Sequence, residues 1–171
     1  MEATNNFLIF LVDDDISFLK LLENYIHQFF KKVTIKTFTT GEDCLHNLNE
    51  KPDIVLMDYI LNSNFPNAMN GIKVLDKIKQ AEPTINVILF SGQDHIDVAV
   101  DTMKHGAFDY IVKNDKIFVR VQNAIKNVLY TFSLKKDIKD YKRKVSFFVI
   151  SLILAASVIV YMQFFFHTFL L

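Results

Sequence analysis

The stretch Ile54-Val55-Leu56-Met57-Asp58 decides the fold of this chain. Four apolar residues that end in a single carboxylate are typical of a buried parallel strand, which carries Asp58 to its carboxyl end. In an open α/β sheet, the ligand site lies beyond the carboxyl ends of the strands. We therefore expect polar residues at the ends of other strands to lie close to Asp58.

Three further apolar runs end in polar residues in the same way. They are residues 7–12 followed by Asp13-Asp14-Asp15, residues 87–90 followed by Ser91, and residues 110–112 followed by Lys113. Carboxylates, a hydroxyl and an ammonium at four strand ends suit a divalent cation and a phosphoryl group.

The order of the helix and strand patterns predicts a doubly wound α/β fold. Apolar residues recur every three or four positions in 16–30, with Asp15 as the expected N-cap, and residues 33–37 have the β-branched composition of a strand. Further helices are predicted at 41–49, 71–80 and 94–104, and from 117 onward. This alternation predicts a five-stranded parallel sheet with right-handed connections.

Charge is unevenly distributed along the chain, although the net charge is zero. Six of the 19 Lys and Arg residues lie in 135–144 against two acidic residues, so the rest of the chain is mildly acidic. A mildly acidic globular part argues against nucleic-acid binding. The one cysteine, Cys44, excludes an internal disulfide and is typical of a reducing compartment.

The C-terminal residues 145–171 contain no Asp, Glu, Lys or Arg. About 20 apolar residues in a helix cross the roughly 30 Å hydrocarbon core of a bilayer, so we expect a single-pass transmembrane helix. The basic residues 142–144 should stay on the cytoplasmic side, which leaves the globular domain in the cytoplasm and the C-terminus across the membrane. A buried core helix and a partner-binding helix are the alternatives.

Residues 130–144 contain no Pro or Gly and should extend the last helix. We interpret them as a solvated helical linker, with a short coiled-coil seam in a homodimer as the alternative. The predicted domains are an α/β domain at 1–129, a basic helical linker at 130–144 and a transmembrane helix at 145–171.

Taken together, these motifs resemble the receiver domain of bacterial response regulators, which accepts a phosphoryl group from a histidine kinase on an aspartate. The resemblance covers about residues 7–128. It rests on four motifs: LVDDD at 11–15, IVLMD at 54–58, ILFSG at 88–92 and DYIVK at 109–113. It implies a flavodoxin-like (βα)5 fold, Mg²⁺ as cofactor, and a histidine kinase or phosphotransfer protein as partner.

The resemblance also implies an acceptor and a metal site. Asp58 would be the phosphoacceptor. Asp13 and Asp14 would hold Mg²⁺ together with Asp58 and the backbone carbonyl of Ile60. A carboxylate that attacks a phosphoryl group brings two negative charges together, and a hard dication offsets them.

Three further residues match the family pattern, and one position departs from it. Ser91 and Lys113 would contact the phosphoryl oxygens, and Tyr110 would change rotamer as Ser91 moves toward the phosphoryl group. Asn114 follows Lys113, where the family usually has proline. A non-proline cis bond costs about 2.5–4 kcal/mol, so we expect a trans peptide and a shifted loop.

Residues 62–70 form a loop that is several residues longer than is usual in the family. Its apolar residues are consistent with a cover over the site, with a partner-binding loop and with a disordered tip.

Our functional hypothesis is a membrane-tethered, phosphorylation-dependent signalling receiver, which acts through contacts made by the fourth helix, fifth strand and fifth helix. We recognise no DNA-binding or enzymatic output domain in these 171 residues, and expect no enzymatic activity beyond self-phosphorylation and self-dephosphorylation. One alternative is a membrane-anchored scaffold that keeps the fold without being phosphorylated. Another is a phosphohydrolase of the same topology, which Ile60 disfavours because it stands where an Asp-x-Asp pair has its second acid.

Overall fold

The computed structural model of the protein describes residues 6–61, 69–92 and 96–169, and for residues 164–169 it describes the backbone alone. Most of the long loop 62–70, and the first residues of the helix predicted at 94–104, lie outside the described residues. The chain divides into two compact units, Met1–Val128 and Leu129–Leu171.

A five-stranded sheet forms the centre of the first unit. Its strands are β1 (Phe7–Val12), β2 (Val33–Phe38), β3 (Ile54–Asp58), β4 (Asn86–Ser91) and β5 (Asp109–Val112). They lie in the order β2-β1-β3-β4-β5, and every pairing is parallel. The chain passes to opposite sides of β1, so the carboxyl ends of β1 and β3 border the crevice where such sheets bind ligands. The predicted fold class is confirmed.

The helices alternate with the strands. They are α1 (Ile16–Phe29), α2 (Gly41–His46), α3 (Gly71–Ala81), α4 (Ile96–Lys104) and α5 (Ile117–Phe169). The helix predicted at 41–49 was too long, because α2 ends at His46 and a separate 3-10 turn covers Leu48–Glu50. The side-chain amide of Asn47 donates a hydrogen bond to the Asp43 carbonyl, a local bond that competes with continuation of the helix.

Local signals set the ends of two helices as predicted. The carboxylate of Asp15 accepts hydrogen bonds from the backbone amides of Ser17 and Phe18, at 2.8 and 3.1 Å, and so caps α1. Gly106 follows α4 with φ of 87°, a left-handed conformation that costs glycine little.

The core lies on both faces of the sheet, and β3 is buried along its whole length. A parallel strand covered on both faces needs apolar residues at successive positions rather than alternate ones, which is the pattern of 54–57. The spacing that predicted the buried face of α1 is correct in the middle of the helix, where Leu19, Leu22 and Ile26 are buried. It is wrong at the two ends, because Ile16 and Phe29, the first and last residues, are exposed.

The second unit is helical. It consists of the later part of α5, which continues without interruption through residues 130–144. Within Ile117–Gln163 an 18-residue window has a mean hydropathy of 2.5, and none of that window is buried. This helix is therefore long and apolar enough to cross a membrane.

Gly71 begins α3 where the backbone passes close to the end of β3. A Cβ at this position would lie 2.8 Å from the Asp58 carbonyl oxygen and 2.8 Å from Tyr59 Cα. We predict that Gly71→Ala lowers the free energy of unfolding by about 1–3 kcal/mol, because backbone atoms must move apart. Urea denaturation of residues 1–134 measures the loss. Gly92→Ala is the matched control, since a Cβ there meets nothing within 4 Å, and equal losses in the two variants would contradict the prediction.

His105, which follows α4, is bonded to Asp76 on α3, with 2.6 Å between His105 Nδ1 and Asp76 Oδ1. This hydrogen bond raises the pKa of His105 above its ordinary value of 6.5, with a further contribution from the charge of Asp101. A raised folded-state pKa means that the stabilisation is complete below pH 6.5 and is lost as the pH rises through the raised pKa.

We therefore predict that His105→Gln destabilises residues 1–134 at acidic pH and has little effect at alkaline pH. Urea midpoints of the parent and the variant, measured on both sides of this pKa, give the comparison. Asp76→Asn should remove most of the same pH dependence, and adding His105→Gln to it should change little more. A gap between parent and His105→Gln that is the same at every pH would contradict this assignment.

Candidate functional site

Three carboxylates meet at the carboxyl ends of β1 and β3. Val12 pairs with Met57, so the next residues along the two strands, Asp13 and Asp58, lie side by side. Asp13 is 1% exposed and Asp58 7% exposed, while Asp14 is half-buried. One oxygen from each of the three carboxylates lies within 4.8 Å of the other two. The structure thus brings together the acids of two predicted motifs.

The ammonium of Lys113 bridges two of these acids. Its Nζ donates hydrogen bonds to Asp13 Oδ2 at 2.7 Å and to Asp58 Oδ2 at 2.9 Å. The backbone amide of Lys113 donates to the Ser91 carbonyl at 2.7 Å, which fixes the end of β5 against the end of β4. Within the described residues no peptide bond is cis, so the predicted trans bond between Lys113 and Asn114 is confirmed.

Two aromatic rings lie beside this ammonium. Lys113 Nζ is 4.7 Å from the ring centroid of Phe18 and 5.0 Å from that of Phe90, and the two rings contact each other edge to face. A cation near aromatic faces is attracted electrostatically, and the rings limit its access to water. Neither residue was predicted from the sequence. Phe18 lies outside the row of apolar residues that recurs every three or four positions in α1, and it is about one helical turn from the acidic residues. A large apolar residue at that position is the sequence feature that could have pointed to a place beside the site.

Burial shapes the protonation of the site. It raises the pKa of Asp13 and of Asp58, and the hydrogen bonds from Lys113 offset part of that rise. Burial also opposes the charged form of Lys113, but the hydrogen bonds to Asp13 and Asp58 outweigh it, so the pKa of Lys113 is raised. The lysine is therefore a fixed positive charge.

Two carboxylate oxygens of the cluster fit a metal ion. Asp14 Oδ2 and Asp58 Oδ1 are buried and have no hydrogen-bond partner among the described residues. A buried carboxylate oxygen without a partner is costly, and a hard cation with oxygen ligands removes that cost. The donor set of Asp13, Asp14 and Asp58 therefore suits Mg²⁺. Ile60, whose carbonyl is the fourth expected ligand, follows two residues after Asp58, and its backbone amide opposes the rise that burial causes in the Asp58 pKa.

The remaining predicted residues lie at the ends of β4 and β5. Ser91 is fully buried and ends β4, directly after Phe90, the residue that pairs with Asp58. Tyr110 is buried in β5 and belongs to a hydrophobic core cluster. Both residues are thus on strands that reach the acidic cluster.

Comparison with known proteins identifies relatives of the first unit. A family model described as the response regulator receiver domain matches residues 9–122. The luminescence regulatory protein LuxO of Vibrio campbellii is 32% identical over 120 residues, which is 68% of this chain and 25% of that protein. The DNA-binding transcriptional regulator NtrC of Escherichia coli is 33% identical over 122 residues, which is 69% of this chain and 24% of that protein. The chain spans about a quarter of the length of these relatives.

Solved structures give the same result for the fold. The signal receiver domain of a putative LuxO repressor protein from Vibrio parahaemolyticus superposes with a TM-score of 0.67 at 25% identity, covering 77% of this chain and 95% of that one. NtrX from Brucella abortus superposes with a TM-score of 0.66 at 26% identity, covering 79% of this chain and 30% of that one.

The bridge made by Lys113 can be tested by removing it. We predict that Lys113→Met lowers the free energy of unfolding by about 2–3 kcal/mol in metal-free buffer, because two buried carboxylates lose their counter-charge. Urea denaturation of residues 1–134 with a chelator present measures the effect. Lys116→Met is the matched control: Lys116 is exposed on the same loop, and its loss should cost less than about 0.5 kcal/mol. Equal stability of the two variants would rule out a stabilising bridge.

Proposed function

Because this chain belongs to the response regulator receiver domain family, we propose that its first unit accepts a phosphoryl group on Asp58 from a histidine kinase or a phosphotransfer protein. The observation that carries the proposal is the convergence of Asp13, Asp14 and Asp58 with a lysine bridging two of them. Receiver domains are signalling domains, and phosphoryl transfer is the chemistry that this arrangement supports best.

The reaction forms one bond and breaks another. A carboxylate oxygen of Asp58 attacks the phosphorus of a phosphohistidine, an O–P bond forms, and the P–N bond breaks with its electron pair staying on the imidazole nitrogen. The products are an acyl phosphate on Asp58 and a free histidine. Asp13, Asp14, Asp58 and the Ile60 carbonyl would hold a Mg²⁺ ion, and its positive charge would offset the repulsion between the phosphoryl group and the carboxylate.

The chain's own residues prepare this step. Lys113 is held between Asp13 and Asp58, so it can move a hydrogen bond from Asp58 Oδ2 to a phosphoryl oxygen without leaving the site. The Ser91 hydroxyl would donate a hydrogen bond to another phosphoryl oxygen. Movement of Ser91 toward that oxygen would vacate space beside β5, and Tyr110 would turn into it.

We further propose that the second unit tethers the receiver to a membrane. In this proposal residues 1–129 form the receiver, 130–144 a basic linker and 145–171 a single transmembrane helix. The apolar window within α5 and the exposure of its side chains support the tether. Lys142, Arg143 and Lys144 favour a cytoplasmic location for the linker and the receiver, because basic flanks stay on that side.

Phosphorylation of residues 1–134 by a small phosphodonor in the presence of Mg²⁺ tests the acceptor. Intact mass spectrometry should detect addition of one phosphoryl group to the parent and none to Asp58→Asn. Addition should also disappear when a chelator removes Mg²⁺. These results would agree with Asp58 as the only acceptor.

Asp15→Asn is the matched control, because Asp15 belongs to the same acidic run but caps α1 instead of joining the cluster. An asparagine keeps that cap, so this variant should be phosphorylated like the parent. A folded parent that gains no phosphoryl group with Mg²⁺ would overturn the acceptor role and favour the unphosphorylated scaffold.

A further inference from the structure

The segment LKKDIKDYKRKV at 134–145 has an unusual division of residue types. Four positions are apolar, Leu134, Ile138, Tyr141 and Val145, and the eight others are all Lys, Arg or Asp. The apolar positions are spaced by four, three and four residues. This is the spacing of the a and d positions of a heptad repeat, with Ile138 and Val145 at a and Leu134 and Tyr141 at d.

In the structure this spacing places the four apolar residues on one exposed face of the helix. The helix α5 is continuous through the segment, so residues three and four apart lie on the same side. The four apolar residues, here called the stalk seam, are 42, 56, 69 and 42% exposed in chain order. Large apolar side chains aligned in this way on an otherwise charged helix are an unfilled packing surface.

We propose that the stalk seam binds the stalk seam of a second copy of this chain, in a parallel two-stranded coiled coil. The seam is self-complementary, since each apolar residue would pack between residues of the same seam on the partner. The proposal concerns the second unit alone and does not depend on phosphorylation of Asp58.

The charged residues beside the stalk seam are complementary to those of a second, parallel copy. Asp137 occupies position g and Lys142 position e of the following heptad, and these positions face each other across a parallel pair. Asp137 of one chain would therefore meet Lys142 of the other, twice by symmetry. Neither residue forms an ion pair within the part of the chain that the structure describes. Asp140, which lies outside the seam, instead pairs with Arg143 of its own helix at 3.2 Å.

The heptad phase continues beyond the charged segment. The next a and d positions are Phe148, Leu152, Ala155, Ile159 and Met162. β-branched residues at a favour two strands, and Ile138, Val145 and Ile159 follow that preference. Inside a bilayer, apolar area alone does not drive association, but small residues allow close approach, and Ala155 with Ser151 at the adjoining g position would lie at the contact.

The proposed membrane tether gives a second reason, besides the pairing of Asp137 with Lys142, to expect a parallel orientation. If the basic residues before the apolar run keep the linker of each copy on the same side, two copies in one membrane point the same way. An antiparallel pair would need one copy inserted in the opposite sense.

Cysteine cross-linking of the full chain tests the seam. Cys44 is buried and its pKa is raised to about 12, so it should stay unreactive. Single cysteines are placed at each position from 134 to 145 in the purified full chain, reconstituted in vesicles of phosphatidylcholine with a minority of phosphatidylglycerol. After mild oxidation, disulfide-linked dimer should be several-fold more abundant at 134, 138, 141 and 145 than at 136, 139, 140 and 143.

Charge reversal tests the partner and its orientation. Asp137→Lys and Lys142→Asp should each weaken the dimer in the same vesicles, by on the order of fivefold in dissociation constant, because each places like charges across the seam. The double variant should recover the parent value. Asp140→Lys is the matched control: it makes a similar charge change outside the seam and should leave the dimer unchanged.

Each outcome bears on the proposal. A flat cross-linking profile, a maximum at the charged positions, or a double reversal that does not recover would overturn it. Flotation and Asp58 phosphorylation are measured on the same vesicles. A chain that floats and is phosphorylated but cross-links without periodicity overturns the seam alone. A chain that does not float overturns the tether, and the cross-linking profile still decides the seam.

Discussion

The ammonium of Lys113 lies between two buried carboxylates, and much of the first unit serves to keep it there. One oxygen from each of Asp13, Asp14 and Asp58 lies within 4.8 Å of the other two. Like charges at that separation repel by on the order of 3 kcal/mol at an effective dielectric of 20. The lysine offsets part of this repulsion, and the Phe18 and Phe90 rings limit its contact with water. The oxygens that it does not reach, Asp14 Oδ2 and Asp58 Oδ1, make the site suitable for a cation.

The backbone around Asp58 is held as firmly as its side chain. The amide of Tyr59 donates a hydrogen bond to the Phe90 carbonyl at 2.8 Å, and the amide of Gly71 donates to the Tyr59 carbonyl at 2.9 Å. Tyr59, the residue after Asp58, is thus tied to β4 on one side and to the start of α3 on the other. A site that develops charge benefits from such support, because its groups need not reorganise during the reaction.

The pattern of apolar residues in the second unit has a different cause from that in the first unit. Its apolar residues are exposed rather than packed in a core, so their pattern reflects what surrounds the helix instead of what lies beneath it. Between 134 and 145 most residues are charged, and the four apolar positions stand out against these neighbours. Beyond 145 no residue is Asp, Glu, Lys or Arg and 20 of the 26 residues are apolar, as expected of a helix that contacts lipid on all sides.

Most of the fold could be predicted because its signals are local. Continuous apolar runs, helical spacing, the Asp15 cap and the glycine after α4 act within a few residues, and they were sufficient for the five strands, their order along the chain and the acids at their ends. The predicted α2 was too long because a side-chain hydrogen bond of Asn47 competed with the helix, and Ile16 and Phe29 are exposed although they share the spacing of the buried face.

The amino-acid sequence by itself determined which residues stand at the strand ends, since strand periodicity is local. Only the tertiary structure decided that Lys113 bridges Asp13 and Asp58, that Phe18 and Phe90 lie beside it, and which carboxylate oxygens stay unpartnered. Lys113 and Asp13 are 100 residues apart in the chain, and their contact depends on β1, β3, β4 and β5 pairing in one register. Such a contact depends on the packing and register of several strands together, so no short stretch of sequence can predict it.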